Sequence, residues 1–222
     1  MKDNKSAYNS NTYDTNIVNV LPYYNEYSKQ IIDLVKAAGI ENPRWLDTGC
    51  GTGTLALKVL EEIPGVKLTL CDPSMPMLDI AKEKLSGKDV EFLNVASDGL
   101  EFKEKFDVVT AIQCHHYYDE DGRKKAVKKC YDALKESGIF VVFENIKMST
   151  KESDDMALAR WLEFLREHGN TEEDVEMHKV RRGVEVHPIT IEEHLKLLKE
   201  CGFKSVNVLW TSYLQAGFWA IK

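Results

Sequence analysis

Apolar and polar positions follow two rhythms along this chain, and each change of rhythm falls at a recognisable landmark. After Pro22, the residues Tyr24, Tyr27, Ile31, Leu34 and Val35 recur at helical spacing until Gly39. That spacing predicts a helix over Tyr23–Val35 with a proline in its first turn. From Arg44 onward, short apolar runs alternate with longer amphipathic stretches. Strands are expected at Arg44–Leu46, Lys67–Cys71, Val90–Asn94, Phe106–Ile112 and Ile139–Phe143. Helices are expected at Leu55–Glu62, from a Ser74 cap to Leu85, and at about Arg123–Leu134. The run Phe106–Ile112 is rich in β-branched residues, as suits a strand covered on both faces.

The end of the chain reads differently. Thr190-Ile-Glu-Glu193 has the form of a capping box, and the helix it opens stops at Gly202. Two strands follow, Ser205–Leu209 and about Ala216–Ile221, with too few residues between them for a crossover helix, so they must pair as an antiparallel hairpin. The expected fold class is therefore α/β. It is a Rossmann-like, seven-stranded, mostly parallel sheet with an antiparallel C-terminal hairpin and helices on both faces. Residues 1–20, rich in Asn, Ser, Thr, Asp and Lys, read as a flexible N-terminal arm unless a ligand pins it. Residues 21–222 read as one domain, with 147–188 inserted before the terminal helix.

The strongest local signal is Asp47-Thr48-Gly49-Cys50-Gly51-Thr52-Gly53, after one strand and before a helix. Glycines let such a turn fold sharply and let a ligand lie against the main chain. Position 54 is Thr where a dinucleotide-binding turn has its third glycine. The acid Asp47 precedes the glycines, where it opposes a pyrophosphate and suits a cation. S-adenosyl-L-methionine carries an ammonium and a sulfonium and no phosphate. Asp72 ends the next strand, where a carboxylate accepts from ribose hydroxyls; the plainer reading is a cap on the turn before Pro73.

On these residues the chain resembles the class I S-adenosylmethionine-dependent methyltransferases, from about Tyr23 to the C-terminus. The resemblance rests on Leu46–Gly53 (LDTGCGTG), Cys71–Leu78 (CDPSMPML), Val90–Asp98 (VEFLNVASD) and Phe106–Tyr117 (FDVVTAIQCHHY). It implies that Asp47, Gly49, Cys50, Gly51 and Gly53 hold the methionine portion and Asp72 the ribose. It further implies that Pro73 and Met77 pack on adenine while Ala96 and Ser97 meet its edge. The family often has Asp where Ala96 stands, which leaves Asp98 as the replacement. The product of transfer is S-adenosyl-L-homocysteine.

Methyl transfer is an in-line displacement, so positioning supplies most of the catalysis, and a base is needed only where the nucleophile holds its proton tightly. Gln113, Cys114, His115, His116 and Tyr117 leave the fourth parallel strand at the end where ligands bind in open α/β sheets. Gln113 is expected at the cofactor. His115 and His116 are candidate bases, with one at most facing the cofactor; the alternative is a packed histidine pair. Glu144 and Asn145, at the end of the fifth strand, read equally as substrate contacts or turn residues. The insertion 147–188, with Arg181 and Arg182, and the helix at Tyr23–Val35, with Tyr23 and Tyr27, read as a lid over a substrate or as a cover for core. No ligand set with metal-binding spacing is present.

Composition adds limits. The 222 residues carry a net charge of −7, which repels nucleic acid. The basic run Arg123, Lys124, Lys125, Lys128 and Lys129 is interleaved with Ala126 and Val127, as on a helix with a solvated outer face. Five cysteines without a C-x-x-C pair read as reduced packing thiols. No apolar run is long enough to span a bilayer, so a cytoplasmic protein, monomer or homodimer, is expected. The leading reading is methylation of a small-molecule acceptor. The stretch His187–Lys204 is also similar to carboxy-S-adenosylmethionine synthases and wobble-uridine tRNA methyltransferases, and a non-catalytic S-adenosylmethionine-binding regulator would keep the same loop.

Overall fold

A computed structural model describes residues 3–222. The strands are β1 (Arg44–Thr48), β2 (Lys67–Cys71), β3 (Val90–Leu93), β4 (Phe106–Ile112), β5 (Leu134–Asn145), β6 (Ser205–Ser212) and β7 (Gln215–Ile221). They form one seven-stranded sheet in the order β3-β2-β1-β4-β5-β7-β6. Strands β1 to β5 pair in parallel, and β7 runs antiparallel to both β5 and β6. The expected hairpin is present, and β7 rather than β6 lies against β5. Successive strands run outward from β1 to β3, then the chain returns to place β4 on the other side of β1. That reversal opens a crevice at the carboxyl ends of β1 and β4.

The helices are α1 (Ser10–Asn16), α2 (Tyr24–Ala37), α3 (Thr54–Glu62), α4 (Met75–Lys84), α5 (Glu120–Ala133), α6 (Lys151–Glu167), α7 (Glu172–Arg181) and α8 (Ile191–Glu200). Strand alternation sends Trp45, Val108, Val141 and Phe143 to one face, where they meet Tyr27, Ile31 and Val59 of α2 and α3. Leu46, Val109, Phe140 and Val142 point the other way, toward Cys130 of α5 and Leu198 of α8. Full burial of each large apolar side chain contributes about 1.5–3 kcal/mol, so the two layers fix the sheet and hold its carboxyl edge rigid. Ser74 and Thr190 cap α4 and α8 as the sequence implies, and Glu193 closes the capping box with Thr190.

Two expectations change. Residues 1–20 read as a flexible arm; positions 1–2 lie outside the described residues, and 3–20 are folded onto the molecule. Asn9 caps α1, Ile17 and Val20 are buried, and Asp14 accepts hydrogen bonds from Thr52 (2.6 Å) and Lys84 (2.8 Å). Composition missed this because the polar residues bond to partners far along the chain. The segment after α6 is helical: α7 starts from a Thr171–Asp174 capping box. Finally, Arg123 does not share the solvated face of its run. It is buried, donating to the carbonyls of His115 (3.2 Å) and Tyr118 (3.3 Å) and to that of His187. The lysines beside it pair with acids, Lys124 with Glu200 and Lys128 with Asp132.

The five cysteines are free. Among the described residues no helix is long and apolar enough to cross a membrane.

Candidate active site

The crevice at the carboxyl ends of β1 and β4 holds a cavity of about 550 Å³, within the range of small-molecule sites. Its wall includes eight of the expected cofactor residues: Gly49, Gly51, Asp72, Pro73, Met77, Ala96, Ser97 and Gln113. Asp98 lies on it too, accepting from the Tyr118 hydroxyl at 3.1 Å. Gly49 and Gly51 have φ of 69° and 54°, the left-handed region that glycine enters freely. A Cβ on Gly49 would stand 2.5 Å from that of Cys114, whereas one on Gly51 would meet no protein atom and would project into the open cradle.

Asp47, Cys50 and Gly53 sit behind this wall. Gly53 allows α3 to approach Ala81 of α4 and Leu85 at its end closely, and the buried Cys50 bonds through its amide to the Cys71 carbonyl at 3.0 Å. Asp47 is paired in register with Thr110, whose hydroxyl donates to it at 2.7 Å while accepting from the Trp45 indole at 2.9 Å. Burial pushes the Asp47 carboxyl up to about 7; Thr110 opposes that shift and the Asp72 charge adds to it. A cation in the cavity would reverse it. Asp72, also raised by burial, accepts from the Gly51 amide (2.9 Å) and the Ser74 amide (2.8 Å), one per oxygen. A carboxylate has about four acceptor sites, so two remain for hydroxyls. A buried anion, a cradle without Cβ atoms and spare carboxylate capacity suit S-adenosylmethionine.

A smaller cavity of about 70 Å³ adjoins the first. Ser6, Tyr13, Gln113 and Tyr117 line both. His116, Asn145, Trp161, His178, Arg181 and Arg182 complete much of its wall. Here the two histidines part. His116 is on the wall, with Nδ1 held by Glu144 at 2.7 Å. His115 turns into the core against Phe140 and Tyr118, with neither ring nitrogen hydrogen-bonded, and burial lowers its pKa to about 4.

Glu144 is wholly buried and does not reach the cavity. It accepts from the backbone amides of His115 (2.9 Å) and His116 (2.8 Å) as well as from the His116 ring. Burial alone would raise its pKa, but His116 draws it down to about 2. The expected substrate contacts Tyr23 and Tyr27 are elsewhere too. Tyr23 is exposed beside Trp210, and Tyr27 stacks on Phe143 at 4.6 Å, bordering a separate void of about 20 Å³. The apolar face of α2 is spent on the core, so it cannot also face a ligand.

Arg181 does reach the smaller cavity. It is buried, donating to Glu185 (2.7 Å) and the Lys5 carbonyl (2.6 Å), and it stands by Tyr117, whose hydroxyl burial pushes up to about 12 despite that guanidinium. Tyr8, Tyr13 and residues 3–6 also border these cavities, a role that no motif in the segment marked. Among the described residues no group of three or more His, Cys, Asp or Glu is placed to hold a metal ion.

Residues 46–138 match the family described as a methyltransferase domain. Over 210 residues the chain is 30% identical to a carboxy-S-adenosyl-L-methionine synthase of Wolinella succinogenes, covering 90% of this chain and 86% of the relative. A synthase of the same name from Nitratiruptor sp. is 28% identical over 220 residues, 96% of this chain and 90% of the relative. Human N-acetylserotonin methyltransferase, solved in complex with S-adenosylmethionine, superposes with a TM-score of 0.62 at 16% identity. The match covers 96% of this chain and 53% of that one. With sheet order, glycine cradle and relatives matched over most of their length in agreement, the chain belongs to the class I S-adenosylmethionine-dependent methyltransferase family.

Proposed function

We propose that this methyltransferase passes the methyl group to a small-molecule acceptor seated in the smaller cavity, with His116 receiving the acceptor's proton. The observation that carries this reading is the shared wall of Tyr13, Gln113 and Tyr117 between the two cavities. A methyl group leaving one ligand and joining another has to cross such a boundary. When bound, S-adenosylmethionine supplies a methyl carbon activated by its sulfonium. Asp72 accepts from the ribose hydroxyls, and Pro73 and Met77 pack on adenine. Ala96, Ser97 and Asp98 meet its edge. The glycine cradle lets the methionine portion approach Asp47.

Holding both reactants in line is worth on the order of 7–11 kcal/mol in favourable cases. Glu144 fixes the His116 ring through Nδ1, which leaves Nε2 as the nitrogen that would take a proton as the acceptor's nucleophile bonds to the methyl carbon, the methyl–sulfur bond breaks and S-adenosylhomocysteine leaves. Arg181, whose partner Glu185 is half-exposed, offers a buried cation to a carboxylate on the acceptor. A space of about 70 Å³ is below the 300–1,000 Å³ of ordinary ligand sites. Residues 3–20 and the insertion 147–188, which roof it, therefore act as a lid that opens to admit the acceptor.

A second reading is favoured by the relatives' shared name together with Arg181: synthesis of carboxy-S-adenosylmethionine, with the guanidinium holding the carboxylate. Mass spectrometry separates the two. Incubated with S-adenosylmethionine and a panel of small carboxylic acids, the enzyme should release S-adenosylhomocysteine together with a methylated acid. Accumulation of a carboxylated cofactor without S-adenosylhomocysteine would establish the second reading. Release of S-adenosylhomocysteine with bulk tRNA and with none of the acids would reject both.

A further inference from the structure

Gln113, Asn145 and Gln215 come from the ends of three different strands and form a closed circuit of side-chain amides. Gln113 Nε2 donates to Gln215 Oε1 at 2.8 Å, Gln215 Nε2 donates to Asn145 Oδ1 at 3.0 Å, and Asn145 Nδ2 donates to Gln113 Oε1 at 3.0 Å. Asn145 and Gln215 are directly opposed in the β5–β7 register. Gln215 is completely buried and touches neither cavity, Asn145 borders the smaller one, and Gln113 borders both. Gln113 also holds a φ of 54°, a left-handed conformation that a non-glycine residue keeps only where its surroundings impose it. Its amide donates to the Phe143 carbonyl at 2.7 Å, so backbone and side chain are both pinned.

We infer that Gln215 is a positioning residue for the cofactor site: through the amide ring it fixes which face of Gln113 is turned to the boundary that the methyl group crosses. An isolated primary amide can rotate by half a turn and exchange donor for acceptor at little cost. In a ring of three, each member gives one N–H and takes one, so no member can flip alone without setting oxygen against oxygen and nitrogen against nitrogen. The orientation of Gln113 is thereby locked to a residue that touches no ligand, and its remaining N–H and lone pair have fixed directions in the cavity. Burial gives Gln215 no water to turn to, which keeps the ring closed. The inference rests on the reading that the larger cavity holds S-adenosylmethionine.

The test is a double-mutant cycle on the full chain, read by calorimetric titration of S-adenosylmethionine with thermal unfolding of each variant as a fold control. Gln215→Leu should unfold cooperatively yet bind S-adenosylmethionine about tenfold more weakly, and Gln113→Ala should lose about as much. The double variant should be no weaker than the worse single one, because Gln215 acts through Gln113. Losses that multiply, or wild-type affinity in folded Gln215→Leu, overturn the inference. If Gln215→Leu does not fold, Asn145→Ala opens the same ring from its cavity side and must show the same loss and the same coupling. Asp72→Ala separates the two failures. If it too leaves binding unchanged, the cofactor reading is wrong; if it alone weakens binding, the cofactor reading stands and the ring inference falls.

Discussion

The two cavities share a wall but are built in different ways. The larger one draws its floor from short runs at the ends of adjacent parallel strands, Gly49 and Gly51 after β1, Asp72–Ser74 after β2 and Ala96–Asp98 after β3, with residues 3–6 and Tyr13 across it. The smaller one is assembled across the whole chain. Arg181 bonds to Lys5, Gln113 to Gln215, and the Trp161 indole to the Val20 carbonyl at 2.9 Å. Local main-chain geometry repeated at a sheet edge can hold one cofactor in a stable frame. A wall made of distant segments can change one piece at a time, as the proposed acceptor site requires.

The contrast can be broken most forcefully at the histidines. His116→Ala should lower turnover by about 10²–10⁴-fold with the acceptor in hand, with cofactor affinity unchanged. His115→Leu should keep turnover within about twofold and raise stability by about 1 kcal/mol, since neither of its buried ring nitrogens has a hydrogen bond to lose. Equal losses from both would show that the core placement of His115 says nothing about its role. On the cofactor side, Asp72→Ala would remove the two charge-assisted hydrogen bonds proposed to reach it from ribose. Titration calorimetry should record about 100-fold weaker binding of S-adenosylmethionine, or about 3 kcal/mol.

Arg181→Leu sharpens the comparison from the acceptor side. It should raise the acceptor KM about tenfold or more and leave the affinity for S-adenosylmethionine within about twofold. A mainly cofactor-binding defect would mean that the two walls are not separable. The smallest effect lies in the pH dependence of the ligand-free protein. Burial raises the folded-state pKa of Asp47 from 3.8 to about 7, so its contribution to stability is fully present below the unfolded value and is lost as pH rises through the folded one. The melting temperature of Asp47→Asn relative to wild type should therefore increase between pH 4 and 7, and saturating S-adenosylmethionine should shrink that difference by supplying a cation.

What the residue pattern disclosed follows the same division. Short apolar runs and helical spacing located all seven strands and the helices that cover them, because both signals are local. The glycine turn and Asp72 were legible for the same reason. Tyr23 and Tyr27 were misplaced because an aromatic stripe looks the same whether it meets a ligand or, as in α2, a sheet. Arg123 looked like one more solvated charge, and nothing in its run foretold that three carbonyls would converge on it. Residues 3–20 were opaque because their order comes from Asp14 reaching Thr52 and Lys84, and from the Asp3 carbonyl accepting from Ser74 at 2.7 Å. Such pairings exist only once the fold has brought the partners together.

A crystal structure of the protein grown with S-adenosylhomocysteine bears most directly on the whole account. The ribose hydroxyls should lie within hydrogen-bonding distance of Asp72, the adenine against Met77, and the sulfur toward the boundary formed by Tyr13, Gln113 and Tyr117. A nucleoside bound elsewhere, or a sulfur turned away from that boundary, would contradict it.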